Sequence, residues 1–245
     1  MATRGPDAVV FDVGGVFVLP SPAVLRAALG AEGVVVAADD GAFHRAHYRA
    51  TAALDGAARA GVARADRWLV YLGTYLEEIG VAPDRLGPDR FAELWHRPAI
   101  ELWSWVQVEA AAALRRLVTF GMPVAVVSNA DGTVERSLRE RGVLQVGPGA
   151  GAEVLTVVDS AVVGAEKPDP ATFAPALAVL AERGVEPARC WYVGDTWAAD
   201  VVGARAAGME PVHLDPYGLY AADGHRRVGS VAEVVADVLG EVGPG

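Results

Sequence analysis

Residues 190–208 read CWYVGDTWAADVVGARAAG. Cys190 to Gly194 is an apolar and aromatic run without polar alternation, the pattern of a strand buried on both faces of a parallel sheet. Asp195 follows at once, and Asp200 stands five residues further on. Ala198 to Ala207 has a helical pattern that stops at Gly208, a glycine in the position just past a helix end. The same rhythm recurs along the chain. Ala8 to Val13, Pro123 to Ser128, Val154 to Val158 and Pro211 to Leu214 also read as strands. Glu109 to Phe120, Thr133 to Arg141 and Pro170 to Arg183 read as helices closed by Gly121, Gly142 and Gly184, with a terminal helix at Val231 to Val242. From residue 106 onward this alternation predicts right-handed crossovers and an α/β, doubly wound parallel sheet.

Pro22 to Trp105 breaks the rhythm. Helical patterns run over Ala23 to Leu29, Ala42 to Leu54, Arg67 to Ile79 and Asp89 to Trp95, with no convincing strand. Four of the six tryptophans (68, 95, 103, 105) fall there, so the stretch is expected to build its own small core. The predicted organisation is an α/β core from residues 1–20 and 106–245, with residues 21–105 inserted as an all-α domain.

Composition narrows the function. The 245 residues are 52% hydrophobic and 21% charged, enough to bury a large core. Twenty-one basic against 31 acidic residues leave a net charge of −10, which argues against nucleic acid or an anionic membrane surface as the main partner. No run approaches the roughly 18 apolar residues a membrane span needs, and Asp12 interrupts the only apolar run near the start. A cytoplasmic protein is expected. The single cysteine, Cys190, lies in a predicted buried strand and reads as a structural thiol.

The strand ends carry the chemistry. Asp12-Val13-Gly14-Gly15 places a carboxylate where parallel sheets bind ligands, with glycines that let the backbone approach closely. Ser128-Asn129 offers a hydroxyl, an amide and the start of the next helix, a ready anion site. Gly164-Ala165-Glu166-Lys167-Pro168-Asp169-Pro170 supplies an ammonium, and Asp195 and Asp200 complete an oxygen-rich pocket suited to Mg²⁺. A carboxylate, a hydroxyl, a cation and an acid pair, in that order, are what phosphate chemistry requires.

With these motifs on essentially the whole chain, the sequence resembles the haloacid dehalogenase (HAD) superfamily of hydrolases, and residues 21–105 resemble its helical C1 type of cap. The resemblance implies that Asp12 attacks phosphorus and forms an aspartyl-phosphate, and that Ser128 and Lys167 hold the phosphoryl oxygens. It also implies Mg²⁺ bound by Asp12, the backbone carbonyl of Gly14 and Asp195, with Asp200 supporting, and a small phosphorylated metabolite as substrate. The sequence departs from the family at Gly14, where most of its phosphatases carry an Asp that serves as general acid and base. Two other readings share the pocket: a 2-haloacid dehalogenase, and a phospho-ligand-binding protein that has lost turnover.

Of 21 basic residues, 20 are Arg and one is Lys167. That position is thus expected to require a compact ammonium rather than a forked guanidinium. His44, His47 and Tyr48 fall on one helical face, readable as a substrate-facing surface but more simply as a packed helix. Trp68, Tyr71 and Tyr75 are spaced as core residues. His213 and His225 read as structural or exposed.

Overall fold

The computed structural model describes residues 5–96, 101–221 and 223–241. Its strands are β1 (Ala8–Phe11), β2 (Val18–Pro20), β3 (Trp103–Val106), β4 (Val124–Ser128), β5 (Leu144–Val146), β6 (Ala152–Val154), β7 (Val157–Asp159), β8 (Cys190–Gly194), β9 (Glu210–Leu214) and β10 (Arg226–Val228). The chain forms two compact units, one comprising Met1–Phe17, Val106–Pro216 and Ala222–Gly245, the other Val18–Trp105 and Tyr217–Ala221.

The first unit is the expected α/β fold. Six strands form one sheet in the order β10-β9-β8-β1-β4-β7, and the pairings are parallel. β1, β4 and β8 are buried along their whole length, which is why they read as continuous apolar runs. Ala8 and Val10 of β1 pack with Cys190 and Tyr192 of β8 against Phe173 and Leu180, all buried. Register then decides the site. Phe11 pairs with Val126 on one side and Val193 on the other, so Asp12, Ser128 and Asp195 leave the sheet at the same carboxyl edge.

Several local expectations change. The run read as one strand over Val154 to Val158 is divided between β6, paired with β5, and β7, paired with β4, because the chain changes partner at Leu155 and Thr156. The helix expected over Pro170 to Arg183 is a 3₁₀ turn, Pro170–Thr172, followed by an α-helix, Ala174–Ala181; Pro175 lacks an N–H and sits in the first turn of the second piece. The helix expected from Ala198 opens as a π-turn, Trp197–Val201, and becomes α-helical over Val202–Ala206. The terminal helix covers Val231–Leu239, while Val242 lies outside the described residues.

The second unit is mainly helical. It contains α1 (Pro22–Ala31), α2 (Asp40–Arg59), α3 (Arg64–Glu78) and α4 (Pro88–Trp95). Ser21 and Asp39 cap α1 and α2, the Asp39 carboxylate accepting the Ala42 N–H at 2.8 Å. Leu29, Phe43, Leu72, Tyr75, Phe91 and Leu94 form its core, and Trp68 stacks on Tyr71 with centroids 4.6 Å apart. Two features were not expected. Residues 22–105 were read as strandless, yet Trp103 to Val106 is β3, paired with β2. Tyr217–Ala221, read as core, belongs to the helical unit, because Tyr217 Oη lies 2.7 Å from His44 Nδ1 and Tyr220 donates to buried Asp55 at 2.7 Å.

Candidate active site

The carboxyl edge of β1, β4 and β8 gathers Asp12, Lys167, Asp195 and Asp200, each buried. One oxygen from each of the three carboxylates lies within 4.8 Å of the others. Lys167 Nζ is 2.9 Å from Asp12 Oδ1 and 2.7 Å from Asp200 Oδ1, and donates to Tyr192 Oη at 2.9 Å. The ammonium is therefore surrounded by two acids and a phenol.

Asp200 is fully engaged. Its Oδ1 accepts from Lys167 and from Tyr192 Oη at 3.0 Å, and its Oδ2 accepts from the Thr196 N–H at 2.9 Å and the Thr196 hydroxyl at 2.7 Å. Burial pushes its carboxyl up, but Lys167 and Thr196 outweigh that and hold it below the ordinary carboxylate range. Asp12 differs. Burial raises it to about 7, Lys167 opposes the rise, and the charges of Asp200 and Asp195 add to it. Asp12 Oδ1 meets Lys167 as an ion pair at 2.9 Å but has no donor at hydrogen-bonding angle. For Lys167, burial works against the charge and the two acids prevail, so its pKa is raised.

Two glycines make this density of acids possible. Gly15 has φ +73, and a Cβ there would lie 2.2 Å from Asp195 Cγ; a Cβ on Gly194 would lie 2.3 Å from Asp200 Cγ. Replacing Gly15 by Ala imposes a left-handed backbone costing about 1–2 kcal/mol, and also drives Asp195 out of place. The expected outcome is a lower Tm, read by thermal denaturation.

Ser128 ends β4 and is buried. Asn129 is exposed, and its side chain is committed elsewhere: Oδ1 accepts the Lys167 N–H at 2.8 Å and Nδ2 donates to the Lys167 carbonyl at 3.2 Å. It clamps the backbone that carries the lysine. The anion site expected at the following helix start is taken by the protein itself. Asp159 Oδ2 accepts from Gly132 N at 2.9 Å and Val134 N at 3.4 Å, and Ser160 Oγ accepts from Ala130 N at 3.1 Å.

Tyr192 was not anticipated, since it sits inside an apolar run. Its hydroxyl was the available signal, because a buried phenol needs a partner. Cys190 is buried, and burial pushes its thiol up to about 11, as suits a structural residue. In the helical unit, His47 is a core histidine bonded to Tyr71 Oη at 2.9 Å. Tyr48 is buried beside it, and half-buried His44 packs on Trp105 and Tyr217.

A family profile described as haloacid dehalogenase-like hydrolase matches residues 6–208. The chain belongs to that family. It is 34% identical over 163 residues to a phosphoserine phosphatase of Thermus thermophilus, covering 65% of this chain and 60% of that one. It is 38% identical over 120 residues to the haloacid dehalogenase-like hydrolase domain-containing protein 3 of Bos taurus, covering 46% and 44%. The chain thus spans less than two thirds of the length of these curated relatives. Among solved structures, the HAD-hydrolase YfnB of Bacillus subtilis, bound to magnesium, shares the fold at a TM-score of 0.60 and 15% identity, over 96% of this chain and 99% of that one. Among the described residues no helix is long and apolar enough to cross a membrane.

Proposed function

We propose that the protein is a divalent-metal-dependent phosphatase of small phosphate monoesters, with Asp12 as nucleophile. The observation that carries this reading is the charge of the buried cluster. Three carboxylates face a single ammonium, so the fully ionised site bears two uncompensated negative charges away from water. One divalent cation would balance them. The all-oxygen donor set is that of a hard cation such as Mg²⁺, and the unsatisfied Asp12 Oδ1 fits a ligand role. Asp12, Asp195 and the Gly14 carbonyl would hold the metal. Asp200, its lone pairs already engaged, would act by fixing Lys167 and Thr196. When bound, the metal would supply electrostatic stabilisation of charge on the transferring phosphoryl group.

The residues divide the remaining work. The Asp12 carboxylate attacks phosphorus, the P–O bond to the leaving group breaks, the departing alkoxide takes a proton from solvent water, and an aspartyl-phosphate forms. Water then attacks phosphorus, releasing inorganic phosphate and restoring the carboxylate. Lys167 and Ser128 hold phosphoryl oxygens, and Asn129 holds Lys167 in register. The phosphatase relative from Thermus supports a phosphate monoester as substrate, and the acid cluster, which calls for a cation, weighs against halide displacement. Such a pocket, read with a lone buried thiol, suits a cytoplasmic metabolic enzyme.

The test is a panel of phosphate monoesters with Mg²⁺, reading phosphate, beside 2-chloropropionate, reading chloride. Phosphate release abolished by EDTA is expected. Chloride release that persists in EDTA contradicts the reading, and Mg²⁺ binding without any turnover makes the protein a binder. Because Gly14 offers no proton, rates should favour p-nitrophenyl phosphate over alkyl phosphates by a factor of about 10² or more, the usual worth of a general acid.

The raised Asp12 pKa sets a pH dependence. Its folded value, about 7, exceeds the unfolded 3.8, so the metal-free fold holds a proton that the unfolded chain releases. That contribution to stability is complete below the unfolded value and is lost as pH rises through about 7. In EDTA, the Tm of wild type should fall across this window relative to Asp12→Asn, while Mg²⁺ affinity should rise, since binding needs the carboxylate.

A further inference from the structure

Two histidines outside the acid cluster lie end to end behind Asp195. His213, in β9, is fully buried; its Nε2 lies 3.0 Å from the Asp195 carbonyl oxygen and its Nδ1 lies 3.0 Å from Nε2 of half-buried His225. A carbonyl oxygen only accepts, so His213 Nε2 carries the proton. His213 Nδ1 and His225 Nε2 share a single proton between them, and His225 Nδ1 lies 3.4 Å from the Asp223 carbonyl oxygen. His225 thus holds one end of the His213 ring while the other end donates to the Asp195 carbonyl.

The position of that carbonyl gives the chain its consequence. β8 ends at Gly194, which is paired with His213, so Asp195 is the first residue beyond the ladder. The His213 side chain meets that carbonyl where the ladder ends. A peptide unit is planar, and the unit whose C=O is held by His213 is the one whose N–H, on Thr196, donates to Asp200 Oδ2 at 2.9 Å. Turning this plane would detach Asp200 and re-aim Asp195 together.

Resting on the metal-site reading above, we propose that His213, oriented by His225, is a positioning residue that fixes the Asp195–Thr196 peptide plane and so presets both motif acids for a divalent cation. It touches neither substrate nor metal.

Two polar substitutions of similar character separate this role from general packing. The amide nitrogen of Gln reaches about as far as His Nε2, whereas that of Asn reaches only as far as Nδ1. Mg²⁺ binding by the full chain is measured by calorimetry, with circular dichroism and phosphate release in parallel. His213→Asn should weaken Mg²⁺ affinity by about 10- to 100-fold, as is usual for a group that orients a ligand from behind, and His213→Gln should restore most of it. Half-buried His225 is the second handle if the buried site does not tolerate change: His225→Ala should weaken affinity and His225→Gln should not. Equal Mg²⁺ affinity in wild type, His213→Asn and His225→Ala would overturn the proposal while leaving the metal site standing, as would Gln variants no better than Asn and Ala. A wild-type protein that binds no Mg²⁺ would overturn both.

Discussion

Asp12→Asn should abolish phosphate release, by a factor on the order of 10⁴ or more, the scale of loss when a covalent nucleophile is removed. The amide is isosteric with the acid but can neither attack phosphorus nor carry charge toward a cation. The fold should survive. Asp12 follows β1 directly, with its N–H bonded to the Val193 carbonyl at 2.8 Å, a backbone contact that the substitution leaves alone. Burial already holds the metal-free carboxyl up to about 7, so removing its charge relieves repulsion with Asp195 and Asp200. Metal-free Asp12→Asn should therefore be at least as stable as wild type at alkaline pH, yet gain little from Mg²⁺. Steady-state kinetics and thermal denaturation at two pH values read both effects; a variant that keeps turnover would remove Asp12 from the reaction.

Lys167→Arg should keep the charge and lose most of the activity. Lys167 is 3% exposed, and its ammonium sits between Tyr192 Oη at 2.9 Å, Asp200 Oδ1 at 2.7 Å and Asp12 Oδ1 at 2.9 Å. A guanidinium is longer, planar and forked, and cannot point at all three from one position. Displacing phosphate or an acid by an ångström costs on the order of 10²-fold. Lys167→Ala should fare worse, because it leaves three buried carboxylates with no cation between them. Comparing kcat and KM for the two variants, with circular dichroism as a check on the fold, distinguishes a need for this geometry from a need for charge. Wild-type turnover in Lys167→Arg would mean that the pocket accepts any cation.

The α/β core was legible because its strands are buried on both faces. Continuous Val, Ala and aromatic runs bounded by turn residues have few other interpretations, and the acids that follow them fall on one edge by register alone. Shorter or mixed elements left weaker traces. β10 is Arg-Arg-Val on a sheet edge, where charge is favoured over apolar character, and β3 is half-buried throughout and lacks a clean alternation. The Leu155–Thr156 change of partner cannot be seen in a run that stays apolar. Long-range contacts were out of reach: nothing local says that Tyr217 meets His44, 173 residues away.

At the site, residue types were readable and their commitments were not. Asp12, Lys167, Asp195 and Asp200 converge as expected from their spacing. That Asn129 spends its amide on the Lys167 backbone, or that Asp159 occupies the amides of the following helix start, depends on partners 25 to 38 positions away. Tyr192 was hidden by its neighbours in the strand.

A covalent phosphoryl group on Asp12 can be caught by reductive trapping. Borohydride reduces an acyl phosphate to an alcohol, so an aspartyl-phosphate becomes homoserine, which peptide mass spectrometry locates. During turnover of a phosphate monoester with Mg²⁺, homoserine is expected at position 12, and it should be absent when either substrate or metal is withheld. Trapping at a different carboxylate, with Asp12 recovered intact, would contradict the account.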